Sequence, residues 1–248
     1  MQDSLYFPLL LTLVFIVAGL VKGVSGMGLP TVAMGLLGAF MPPAAAAAIL
    51  VVPSFVTNVW QLLGGPATAD LLGRLWPMML GIVAGTLGGS ALLARVDPAW
   101  SALALGGALM AYAGYALVSP AVSVSPRMEP WLSPVVGLVT GVVTGATGVF
   151  VMPAVPYLQA LGLEKDALVQ ALGLSFTVST LALAAGLMLH GVFHAGQVGV
   201  SVAVLAPALA GMWLGQRIRA RISPASFRLY FLSFLMLLGV ELVLRPFL

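Results

Sequence analysis

The sequence has no cysteine and very little charge. Its 248 residues include 10 Lys and Arg, 7 Asp and Glu and 2 His, so only 7% are charged. The absence of cysteine excludes disulfides, thiolate nucleophiles and cysteine-ligated metals. A soluble domain has about a quarter of its residues charged, because its surface faces water. These charges are too few to cover a soluble protein of this size, and we expect lipid to be its main solvent.

The sequence also lacks the signatures of enzymes and pumps. It contains no phosphate-binding loop and no HExxH or GxSxG motif. Apart from Glu241, its acidic residues fall in predicted loops or near the N-terminus, so no relay of buried carboxylates is visible. His190 and His194 are four residues apart but have no neighbouring carboxylate. We therefore expect no catalytic residue, no metal and no cofactor.

Long apolar runs dominate the chain, in which 61% of residues are hydrophobic. A helix that spans a bilayer needs roughly 20 apolar residues. The first run has no basic residue before it, which favours a retained span over a cleaved signal peptide. The runs cover residues 5–21, 29–41, 44–63, 75–94, 99–118, 131–149, 150–163, 167–189, 198–214 and 227–244. The pattern predicts an all-α integral membrane protein with about eight transmembrane helices.

The two halves of the chain resemble each other. Five patterns recur in the same order: Gly19-Leu-Val-Lys-Gly23 with Gly137-Leu-Val-Thr-Gly141, Ser54-Phe55 with Ser175-Phe176, Pro77-xxx-Gly81-xxx-Gly85 with Pro207-xxx-Gly211-xxx-Gly215, Arg95-Val-Asp-Pro98 with Arg221-Ile-Ser-Pro224, and Leu109-Met110 with Leu235-Met236. We infer two homologous four-helix repeats, residues 1–118 and 131–248, joined by a loop over 119–130. Such duplication is common in secondary transporters, which bind substrate at the repeat interface.

The orientation of the halves depends on two short runs, 29–41 and 150–163. Both follow Gly-rich stretches, and we interpret them as half-helices or re-entrant continuations of the preceding span. With eight spans, Arg95 and Arg217 fall on one side of the membrane and Arg74 and Arg127 on the other. If the short runs cross fully, each half has an odd number of crossings and the halves are inverted. The sequence is compatible with both arrangements.

The Gly-rich stretches have two interpretations. GxxxG spacing, as at Gly19 and Gly23, lets two helices pack closely in lipid. Irregular glycines beside hydroxyl residues and a following proline instead favour a broken helix, whose exposed N–H groups can bind an anion. We expect the two breaks to face each other near the membrane midplane. The candidate anion-binding residues are Ser25, Gly26 and Gly28 in the first break and Thr144, Gly145, Thr147 and Gly148 in the second.

Other polar residues lie within the apolar runs. Lys22 is the only charged residue in either break, and it either attracts the substrate or extends to the membrane surface. Asn58 and Gln61 share one face of the second span with Ser54 and Thr57, which predicts a role in the substrate pathway. The corresponding span of the second half contributes Ser175 and Ser179 as further candidates.

At these breaks the sequence resembles the sulfite exporter TauE/SafE family. The first half has glycines at 19, 23, 26 and 28 followed by Pro30, and the second has glycines at 137, 141 and 148 followed by Pro153. The resemblance covers essentially the whole chain. It implies a multi-pass secondary transporter of sulfite, sulfonate, thiosulfate or a similar anion, in the bacterial inner membrane. Coupling to protons is a further implication of the resemblance.

Three other functions are compatible with a membrane bundle. They are an anion channel, an assembly subunit that transports nothing and an intramembrane enzyme, and the last has the least support. The expected partners are a small inorganic or organosulfur anion and the lipid bilayer, with no nucleic acid. The oligomeric state stays open, with a homodimer as one option.

Overall fold

The computed structural model describes residues 3–118, 122–219 and 221–247, and every regular element in these ranges is a helix. The α-helices are α1 (Asp3–Ser25), α2 (Leu29–Gly38), α3 (Pro43–Leu62), α4 (Thr68–Arg95), α5 (Pro98–Val118), α6 (Glu129–Thr147), α7 (Ala154–Ala160), α8 (Lys165–Leu189), α9 (Ala195–Ala203), α10 (Leu205–Arg219) and α11 (Pro224–Leu244). With α9 and α10 taken as one span, eight are long and apolar enough to cross a membrane. The predicted all-α membrane class is confirmed. Part of the predicted connecting loop, residues 119–121, lies outside the described residues.

Prolines set the irregular points of the helices. Pro207 has no N–H to donate to the carbonyl of Ala203, and α9 ends at Ala203. Pro53 likewise leaves the carbonyl of Ile49 without its partner inside α3. The hydroxyl of Ser201, on α9, donates to that carbonyl at 2.6 Å. The defect in α3 is thereby satisfied by a neighbouring helix, as buried polar groups in lipid require.

Glycines bring two pairs of helices into backbone contact. A methyl group built on Gly23 of α1 would lie 2.2 Å from the carbonyl oxygen of Met212 on α10. One built on Gly141 of α6 would lie 2.3 Å from the carbonyl oxygen of Ile82 on α4. Neither site has room for a side chain, because the obstacle is backbone. These glycines are therefore helix-packing contacts of the GxxxG kind.

The main helix contacts join one half of the chain to the other. Helix α1 packs along α10, the third long helix of the second half, and α6 packs along α4, the third long helix of the first half. In each of these pairs the two helices run parallel. By contrast, α3 and α8 are antiparallel, since Asn58 bonds Thr180 and Gln61 bonds Val169. Helices α5 and α11 are antiparallel too, because Gly106 lies beside Leu242 and Gly114 beside Met236. This is the arrangement that inverted repeats require, although the homology of the halves stays a prediction.

Most cationic side chains lie at one end of the bundle, which we name the cationic face. After α1 reaches this end, the chain crosses back to the opposite end through α2. After α6 leaves this end, the chain comes back to it through the segment containing α7. The helix ends near Arg74, Arg127 and Arg217 therefore meet at this face. Seven of the 10 Lys and Arg lie there: Arg74, Arg127, Lys165, Arg217, Arg219, Arg221 and Arg228. Arg95 and Arg245 lie at the opposite end. The assignment based on eight spans, which put Arg95 with Arg217, is therefore wrong.

The two Gly-rich breaks both lie beside α2. Gly28, which precedes α2, lies close to the ring of Phe231, whereas Gly148 lies close to the side chain of Met34 on α2. Because α1 and α6 point in opposite directions, the two breaks are reached from opposite ends of the bundle. That they face each other near the membrane midplane stays a prediction.

The glycine contacts predict how alanine substitutions divide. We expect Gly141→Ala to destabilise the protein by roughly 1–3 kcal/mol, because its methyl group would collide with the backbone of α4. Gly88→Ala, on a part of α4 with no atom within 4 Å of the added methyl, should be neutral or slightly stabilising. Thermal unfolding of the two purified variants in detergent measures the difference. Equal melting temperatures would contradict the close α4–α6 contact.

Candidate functional site

Lys22 lies in the last turn of α1 and is buried, with 3% of its surface exposed. Its Nζ donates a hydrogen bond to Oδ1 of Asn58 on α3. Within the described residues, the one ion pair joins Arg74 to Glu129 at 2.6 Å. Lys22 therefore places an amine inside the bundle with an amide oxygen as its partner and, among the described residues, no carboxylate.

Asn58 connects three helices. Its Oδ1 accepts from Lys22 on α1, and its Nδ2 donates to the hydroxyl of Thr180 on α8 at 3.4 Å. Thr180 in turn donates to the carbonyl of Phe176 at 2.7 Å. Asn58 lies one helical turn after Ser54 on the buried face of α3, so its side chain points into the bundle. The chain of bonds fixes the amide with its oxygen toward the lysine.

A cavity of about 300 Å³ extends from the cationic face to Lys22, and we name it the lysine cavity. A water molecule occupies about 30 Å³ in the liquid, so the space admits a small hydrated ion. Glycines 23, 26, 64 and 65 keep the walls open. The polar lining consists of Lys22, Thr57, Gln61, Gln170, Gln216, Arg219 and Asp166. Against one exposed carboxylate, this lining presents two basic side chains and the amides of Gln61 and Gln216, which keep N–H groups to donate.

Gln170 holds the rim of the lysine cavity in place. Its Nε2 donates to the carbonyls of Leu62 and Gly65, both at 2.7 Å, and its Oε1 accepts from the N–H of Ala67 at 2.9 Å. The loop between α3 and α4 is thereby fastened to α8. Sequence reasoning missed this residue, because a glutamine in the second turn of a helix resembles an ordinary interfacial polar residue. Its burial at 2% exposure was the missing signal.

Of the three candidate residues in the first break, one lines the lysine cavity and two lie outside it. Gly26, with φ of 77°, lines the lysine cavity and has nothing within 4 Å of its absent side chain. Gly28, with φ of 96°, is the N-terminal cap of α2 and contacts Phe231 outside the cavity. The hydroxyl of Ser25 lies within hydrogen-bond distance of the carbonyls of Val21 and Met27, and its one hydrogen is donated to one of them at a time. Gly26 is thus the part of this break that a ligand near Lys22 would approach.

The candidates of the second break are separated from Lys22 and bond their own chain. Thr144 donates to the carbonyl of Val149 at 3.3 Å, and Thr147 donates to that of Val143 at 2.6 Å. Gly148 caps α6 with φ of 72°. Gly145 is a packing residue, since a methyl group there would lie 2.4 Å from the carbonyl oxygen of Thr86.

The remaining candidates lie on α3 and α8. Gln61 lines the lysine cavity and donates to the carbonyl of Val169 at 2.8 Å. Ser175 and Ser179 are fully buried on α8, and neither hydroxyl has a hydrogen-bond partner among the described residues. The structure therefore brings Lys22, Gly26, Asn58 and Gln61 together and places the two serines apart from them.

Comparison with known proteins gives one match. The sequence model of the family described as Sulfite exporter TauE/SafE matches residues 11–242. No curated protein and no solved structure matches the chain. The matched family is one of membrane transporters and not of enzymes. Because the match includes all but the ends of a helical membrane bundle, the chain belongs to the Sulfite exporter TauE/SafE family.

Proposed function

We propose that this transporter is a secondary carrier of small sulfur-containing oxyanions such as sulfite, sulfonate or thiosulfate. The observation that carries the proposal is the buried ammonium of Lys22 at the inner end of a donor-rich cavity. The family match supports the sulfur chemistry. The bound anion would accept from Lys22 and the amide groups of the lysine cavity.

The energetics favour an anion at this position. A charge removed from water is costly, and a neutral amide compensates only part of that cost. An oxyanion beside Lys22 would supply the missing opposite charge through short, charge-assisted hydrogen bonds. The amides of Gln61 and Gln216 add neutral donors without adding charge, whereas both N–H groups of Gln170 are occupied by carbonyls of the protein. Such a site binds the anion while leaving it exchangeable with the cavity water.

The cation distribution supports an orientation. Loops on the cytoplasmic side of membrane proteins carry an excess of Lys and Arg. Seven of the 10 such residues lie at the cationic face, so we propose that the lysine cavity opens to the cytoplasm of a bacterial inner membrane. Arg219 at the mouth would attract anions into it.

Lys22 is also our candidate for proton coupling. Within the described residues, no carboxylate lines the inner part of the lysine cavity, and Asp166 lies exposed at its mouth. Lys22 is the titratable side chain nearest the inner end. An anion bound beside it stabilises its protonated form, because opposite charges favour each other at short distance. Each transported anion would then be accompanied by the proton of this ammonium group.

The proposed function predicts the behaviour of Lys22 variants. Lys22→Gln should lower uptake of labelled sulfite into proteoliposomes at least about tenfold, the effect of losing roughly 1.4 kcal/mol of binding. Lys22→Arg keeps the charge in a larger, planar group and should restore uptake only partly. Lys165→Gln, which removes the other lysine of the chain, is the matched control. Unchanged uptake by Lys22→Gln would refute the role of Lys22, and no uptake by wild type would refute sulfite transport.

Asn58 offers a second test, because its replacement can mimic the substrate. In Asn58→Asp, a carboxylate would pair with Lys22 permanently and compete with the anion. We expect a folded protein whose sulfite uptake falls at least about tenfold, since one charge pair of this kind exceeds 1.4 kcal/mol. Asn58→Leu should also lose uptake, through loss of the lysine's acceptor. Normal uptake by a well-folded Asn58→Asp protein would show that Asn58 serves only packing.

A further inference from the structure

Six buried hydroxyl groups have no hydrogen-bond partner among the described residues: one on Thr31 of α2, one on Ser54 of α3, and a group of four on α4, α6 and α8. The four belong to Thr86, Thr140, Ser175 and Ser179, each with 0% of its surface exposed. Hydroxyls in transmembrane helices usually bond a carbonyl of their own helix, as Thr177 does to Gly173 at 2.7 Å. Buried polar groups without partners are rare in native proteins. A group of four calls for a partner outside the protein, which is either water or a ligand.

The four residues lie where α4, α6 and α8 pack together. Thr86 contacts α6 closely, since a methyl group on Gly141, the residue after Thr140, would lie 2.7 Å from the nitrogen of Thr86. Ser175 and Ser179 are one turn apart on α8, and this helix packs on α4. Gly186, two turns beyond Ser179 on the same face, contacts the side chain of Ser90 on α4. The hydroxyls therefore face the junction of three helices.

This junction corresponds in position to the lysine cavity. Thr140 precedes Gly141 just as Lys22 precedes Gly23. A methyl group on Gly23 would lie 2.9 Å from the nitrogen of Gln216, the same relation that Gly141 has to Thr86.

The α8 residues extend the same correspondence. Alignment of Ser54-Phe55 with Ser175-Phe176 makes Ser179 the counterpart of Asn58. The unpartnered hydroxyls at the second junction thus match residues around the lysine cavity: Thr140 corresponds to Lys22, Thr86 to Gln216 and Ser179 to Asn58.

We propose that Thr86, Thr140, Ser175 and Ser179 form a second, uncharged site for the same small oxyanion, on its route toward the face opposite the cationic face. This rests on the proposed function. Each hydroxyl can donate one hydrogen bond to an anion oxygen. Neutral donors hold an anion less strongly than an ammonium, and a pathway needs sites weak enough to release the ion. The charged site captures the anion, and the hydroxyl site passes it on.

The test separates capture from passage. Thr140→Val and Ser179→Ala should bind sulfite at the lysine cavity as wild type does, measured by calorimetry on purified protein. Their uptake of labelled sulfite into proteoliposomes should fall at least about tenfold, and their melting temperatures should hold or rise, because an unpartnered buried hydroxyl is removed. Thr140→Ser keeps the hydroxyl and should retain uptake. Thr177→Val, which removes a bonded hydroxyl from the same helix α8, is the matched control.

The outcomes distinguish the two proposals. Uptake by Thr140→Val and Ser179→Ala equal to that of wild type would overturn the hydroxyl site and leave only buried hydroxyls or trapped water there. A loss of uptake accompanied by an equal loss of sulfite binding would also overturn it, since the variants would then act on the lysine cavity. Wild type that neither binds nor transports sulfite would instead contradict the proposed function.

Discussion

The hydrogen bond between the buried ammonium of Lys22 and the amide of Asn58 is the interaction around which the bundle is arranged. A charge at this depth is tolerable only in the protein interior or beside water. The backbone contact of α1 with α10 at Gly23 holds Lys22 inside, and the lysine cavity connects it to the cationic face. The bundle thus packs one side of the Lys22 amine against protein and leaves the other side open to the lysine cavity.

The exchange of helices between the halves explains why two polar junctions exist. Each half contributes its first helix to the other half's third long helix, and Gly23 and Gly141 occupy matching contacts. One junction is charged and open to the cationic face, and the other is neutral and closed. A charged junction at both positions would bury two ammonium groups and retain an anion at each. The asymmetry between Lys22 and Thr140 therefore suits a pathway with one capturing and one releasing position.

The sequence predicted the membrane class and the eight spans, and it marked Lys22 as a candidate because charge is rare within apolar runs. It could not predict that Lys22 meets Asn58, which is 36 residues away, since that contact depends on how the helices pack. It also left the direction of the halves open, because a ten-residue α2 is too short to reveal whether the chain returns across the bilayer. Gln170 and Thr86 were missed for a related reason. A polar residue in a helix shows its importance only when its burial and its partners are known.

The most direct test of the account is the thermal stability of purified protein with and without sulfite, for wild type and for Lys22→Met. An anion that binds only the folded protein should stabilise wild type by about 2.7 kcal/mol at one hundred times its dissociation constant. Lys22→Met removes the amine that the anion would pair with and leaves Oδ1 of Asn58 without its donor, so without sulfite it should melt no higher than wild type. Its melting temperature should not respond to sulfite. An equal response of both proteins to sulfite would contradict the claim that the anion neutralises Lys22.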